Sequence, residues 1–79
     1  MVVVHRALGC RFSIYQHDHL PAHVHVDGNG CSAKVQIDGP EGPSLIRQVG
    51  FGKVELRRVF EEVRREQARL LLEWERMHG

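Results

Sequence analysis

The sequence predicts an α+β domain: a three- or four-stranded antiparallel sheet with one face packed on a single long C-terminal helix. Three observations predict it. Residues 22–27, "AHVHVD", and 31–38, "CSAKVQID", alternate strictly between apolar and polar side chains, the period of a half-buried strand. "DGNG" (27–30) separates them, and Asn and Gly supply the positive φ that a tight hairpin needs. From about Lys53 to Met77, apolar residues recur at helical spacing. With 79 residues the chain suffices for one domain, β-rich over 1–51 and helical over 52–79. A domain this small has a thin core, and association with a second copy is one way to enlarge it.

Taken in chain order, "VVVH" near the start reads as an edge strand. "RFSIY" (11–15) is the first clear strand, with Phe12 and Ile14 on one face and Arg11, Ser13 and Tyr15 on the other. "HDHLP" is a loop, in which Pro21 restricts the residue before it and Asp18 turns back on the backbone. In 22–27, Ala22, Val24 and Val26 form the apolar face and His23, His25 and Asp27 the polar one. In 31–38, Cys31, Ala33, Val35 and Ile37 oppose Ser32, Lys34, Gln36 and Asp38. "GPEGP" (39–43) breaks the sheet, and "SLIRQVGF" (44–51) reads as a fourth, shorter strand. The helix begins after Gly52 as N-cap, with Glu55 suited to the first turn's dipole. Its stripe is Leu56, Val59, Phe60, Val63, Leu70, Leu71, Trp74 and Met77, with Gln67 the one polar member. Pairs such as Glu61–Arg65 and Arg69–Glu73 make the rest a solvated face. Leu72, off the stripe near Ala68, marks a surface for self-association or a partner, together with Val54.

Composition excludes some classes. Eleven basic and ten acidic side chains give a net charge of +1, which argues against binding nucleic acid by bulk electrostatics. Nothing is long and apolar enough to cross a bilayer, and "MVVV" is too short for a signal sequence; the expectation is a cytosolic protein without membrane association. Cys10 and Cys31 are the only cysteines and are expected as reduced thiols.

Four of six histidines fall within nine residues, at 17, 19, 23 and 25. If the strand parity holds, His23 and His25 share a polar sheet face with Arg11, Tyr15 and Lys34. That set suits phosphodiester cleavage: His23 and His25 as acid and base, Arg11 and Lys34 on phosphate, Tyr15 donating its hydroxyl or stacking on a base. The same composition also suits a solvated face that does no chemistry. A third reading is a divalent metal such as zinc, held by Asp18, His19, His23 and His25. Two histidines at i, i+2 on a strand can share an ion, and the loop can supply the remaining ligands. His5 and His78, near the termini, are expected to be mobile.

The segment "RFSIYQHDHLPAHVHVDG", followed by "GFGKVELRRV" and "LLLEWERM", resembles the bacterial domain-of-unknown-function family 4160. The motif positions are Tyr15, Asp18-His19, Pro21 and His23-Val24-His25-Val26. Ala22 stands where the family has a second proline, and His17 is an addition. The resemblance implies a component of a small two-gene module in the style of toxin–antitoxin pairs, hence a small protein partner encoded nearby and action on RNA. A purely structural interaction module is the alternative.

Overall fold

In the computed structural model, which describes residues 1–79, five strands and one helix follow in order: β1 Val2–Ala7, β2 Cys10–Ile14, β3 His23–Gly28, β4 Cys31–Gln36, β5 Ser44–Val49 and α1 Lys53–His78. The strands form one antiparallel meander in sequence order. The sheet therefore has five strands rather than three or four, because "VVVH" and "SLIRQV" both pair along their length.

Two hairpins share one turn chemistry. Asn29 and Gly30 have φ of 53° and 77°, and Leu8 and Gly9 have 59° and 71°. Two successive positive φ values match the twist of flanking strands. Asn-Gly announces this; Leu-Gly does not, since leucine rarely adopts a left-handed backbone.

The apolar parity of the central strands holds. Phe12, Ile14, Val24, Val26, Val35 and Ile37 are fully buried, packed with Val59, Val63, Leu70 and Trp74 of α1 in one core. Gln67 lies within the helix stripe because its Nε2 donates to Ile37 O at 2.7 Å, satisfying a carbonyl where β4 ends. At the N-terminus of α1, Glu55 Oε1 accepts the Gly52 N–H at 3.1 Å, one half of a capping box. The thiols are free. Cys10 and Cys31 sit on β2 and β4 with Gly28 of β3 between them. Two strand spacings, about 10 Å, exceed what a disulfide spans.

Three expectations are corrected. His5 is anchored rather than mobile. A register shift between Val3 and His5 sets His5 opposite Phe12 on the core side. Its Nε2 bonds Glu62, and its Nδ1 accepts from Arg69 at 2.9 Å. Glu62 is accordingly buried, not part of the solvated face. The helix ion pairs are i,i+3 rather than i,i+4: Glu62–Arg65, Glu66–Arg69 and Glu73–Arg76. No helix is long and apolar enough to cross a membrane.

Hydrogen bonds from Arg65 and His5 hold the Glu62 carboxyl below its ordinary value of 4.5. A carboxyl depressed on folding contributes stability above its unfolded value and loses it as pH falls through the folded one. Glu62→Gln is expected to cost about 1–2 kcal/mol at pH 7 and to flatten the acid limb of the stability curve below about pH 4.5. Urea melts from pH 7 to 3 measure both. Equal acid limbs in the two proteins would refute this role.

Candidate metal centre

β3 leaves Pro21 and alternates from its first residue. Val24 and Val26 turn into the core, so His23 and His25 turn the other way. The pairings Ser13↔His25↔Lys34 and His23↔Gln36 place neighbours from β2 and β4 on the same face. That face was expected to be polar and open. One end of it is covered: Ser13 and His23 are 1% and 3% exposed. The loop between β2 and β3 folds back so that Asp18 meets both histidines, and Trp74 of α1 lies beside His23, ring centroids 5.3 Å apart.

Asp18 is held by a reciprocal bracket. Its Oδ2 accepts the Tyr15 N–H at 3.0 Å, and its own N–H donates to Tyr15 O at 3.1 Å. Burial pushes its carboxyl up, but the Tyr15 N–H and the imidazoles of His25 and His23 outweigh this and hold it below the ordinary range. Oδ2 lies 3.1 Å from His25 Nε2 and 3.4 Å from His23 Nε2. One ligand atom from each of Asp18, His23 and His25 falls within 4.8 Å of the others.

The state of His23 follows from its other nitrogen. Nδ1 lies 2.7 Å from Pro21 O, a group that only accepts, so Nδ1 carries the proton. In the neutral ring Nε2 is then a bare lone pair. This Nε2 is buried and makes no hydrogen bond, although a carboxylate oxygen lies 3.4 Å away. Two acceptors facing each other in a buried place repel unless a proton, which makes the ring an imidazolium, or a metal ion lies between them. Two donors each about 2.1 Å from a tetrahedral ion are about 3.4 Å apart, close to the two Asp18–histidine spacings, while the two imidazole nitrogens lie within 4.8 Å of each other. A histidine whose Nδ1–H is tied to a backbone carbonyl is the usual second-shell arrangement for an Nε2 ligand.

The other expected site residues are distributed unevenly. His19 is exposed; with His17, Leu20, Lys34 and Ile46 it lines a cleft of about 300 Å³ beside His23 and Asp18. Tyr15 lies edge-on to His25, centroids 4.5 Å apart. Arg11 is not brought in: it pairs with Asp27 and lies further along β2 than Ser13, the residue opposite His25. The acid–base pairing of His23 and His25 needs both rings open to substrate, and His23 is not. Sequence reasoning put Trp74 on the core stripe and expected His78 to be mobile; instead their rings stack 3.9 Å apart, with Trp74 next to His23 and His78 anchored to two carbonyls. Neither offered a cue, since Trp74 fits the core stripe and His78 sits near the end of the chain. A separate cavity of about 190 Å³, lined by Cys10, Cys31, Phe51 and Val59, lies at the opposite end of β3.

Fold and site together define a small α+β protein with a two-histidine, one-carboxylate cluster at the end of its sheet. The family described as Domain of unknown function (DUF4160) matches residues 9–75, and the chain belongs to it. No curated protein and no solved structure matches the chain.

His23 is expected to hold its neutral ring as the Nδ1–H tautomer. Long-range ¹⁵N–¹H correlation spectra of the imidazoles report this directly. A neutral ring protonated on Nε2 would remove the lone pair that the site depends on.

Proposed function

We propose that this protein binds one divalent transition-metal ion through Asp18, His23 and His25 and presents its open side to an anionic substrate. The observation that supports it is His23 Nε2: buried, without a hydrogen bond, its lone pair fixed by the Nδ1 contact to Pro21 and facing a carboxylate. Two nitrogens and one oxygen suit zinc or another borderline ion. Three protein ligands leave a coordination position free, as in catalytic rather than structural sites. The cleft beside the cluster carries Lys34, whose ammonium suits a phosphate. A phosphodiester such as RNA is therefore the substrate class proposed, with metal-bound water as nucleophile. His19, on the same cleft, is the side chain proposed as a fourth ligand or a proton carrier.

A small protein partner belongs to this proposal too. Support comes from β5, an edge strand whose Leu45, Ile46 and Val49 are exposed. An apolar free edge is a template for pairing with another chain.

Untagged protein is expected to take up one equivalent of Zn(II). At 100 times Kd this adds about 2.7 kcal/mol of stability, or about 10–20 °C in Tm. Asp18→Ala, His23→Ala and His25→Ala each weaken uptake by at least about 100-fold. Calorimetric titration and thermal melts with and without chelator measure this. No stoichiometric ion and no change in Tm would eliminate the metal. In the loaded protein, Lys34→Ala is expected to slow cleavage of a labelled RNA by about 10-fold or more. Equal rates with and without chelator would eliminate the metal-dependent reaction.

A further inference from the structure

The last turn of α1 reaches the metal centre without supplying a ligand. His78 stacks on Trp74 with planes 23° apart. Both of its ring nitrogens meet carbonyl oxygens: Nδ1 that of Trp74 at 3.0 Å, Nε2 that of Tyr15 at 3.2 Å. Tyr15 is the residue whose backbone brackets Asp18 from both sides. The carbonyl that anchors the Asp18 turn is thus docked on the end of the helix.

We infer that His78 is a positioning residue, which clamps the Tyr15–Asp18 turn to α1 and so holds the Asp18 carboxylate toward His23 and His25. Its consequence for metal affinity rests on the metal reading above. A carbonyl only accepts, and a neutral imidazole has one N–H. A ring that donates to both carbonyls at once carries two. It sits in the last turn of the helix, over the face of Trp74. The charged and titratable groups along the same groove are Asp18, His19 and Glu75. His78 lies beyond residues 9–75, which match the family.

Two variants separate donation from packing. His78→Phe keeps a planar ring on Trp74 and removes both donors. His78→Arg supplies a planar group with several donors. In the metal-free protein, hydrogen exchange of the Asp18 amide, which bonds Tyr15 O, is expected to speed up about 10-fold in His78→Phe and to stay within about 3-fold of wild type in His78→Arg. The amides of Val24 and Val26 serve as the control for global destabilisation and stay unchanged. Co(II) binding, followed by its visible absorption, weakens about 10-fold in His78→Phe and recovers in His78→Arg. Unchanged Asp18 exchange in His78→Phe would overturn the clamp, as would an increase shared equally by Val24 and Val26, or an Arg variant as fast as the Phe variant. If exchange responds as expected and the wild type binds no cobalt, the clamp stands and the metal reading falls.

Discussion

Burial of Val24 and Val26 fixes everything else about β3. Both are fully buried against α1, and side chains alternate along a strand paired without a register shift, as β3 is. His23 and His25 must therefore face the other way, side by side, their rings 5.0 Å apart. A slip of one residue would put two imidazoles into the apolar layer and two valines onto the polar face. The hydrophobic effect that stabilises the sheet thus also aims the histidines. The site uses strand positions that were never available to the apolar layer.

The remaining ligand comes from a loop, and loops lack that guarantee. Asp18 is placed instead by hydrogen bonds: its reciprocal bracket with Tyr15, and its bond to His25 Nε2. The helix closes the arrangement from one side with Trp74 and His78. At the sheet's free edge, β1 is tied down by a different network. His5 and the carbonyl of Val4 both receive Arg69, and His5 also bonds Glu62. The helix thus binds the sheet by its apolar stripe in the middle and by polar contacts at the margins. Burial is complete in the first region and partial in the second.

Much of the fold was legible because it rests on period. Alternation at 22–27 and 31–38, the Asn-Gly turn and the stripe of α1 are all local patterns. The number of strands was not. β1 turns into β2 through Leu8-Gly9, which carries no turn signature at its first position, and β5 is an edge strand whose exposed apolar residues blur its period. At the site, pattern gave the direction of His23 and His25 but not their environment. Covering of the polar face depends on where a loop and a helix end lie, and neither is written in strand period. His5 shows the limit most plainly: its partner Glu62 is 57 residues away, and nothing near either residue marks them as a pair. Arg11 shows the converse, since sharing a face with His25 did not bring it to the same end of the sheet.

The central claim is that Asp18, His23 and His25 surround one ion. X-ray absorption at the zinc edge, on untagged protein loaded with one equivalent, tests it most directly. The account predicts a shell of nitrogen and oxygen at about 2.0–2.1 Å that includes two imidazoles, identified by their multiple scattering. A shell with sulfur at about 2.3 Å, drawn from Cys10 or Cys31, or one without imidazole scattering, would contradict it.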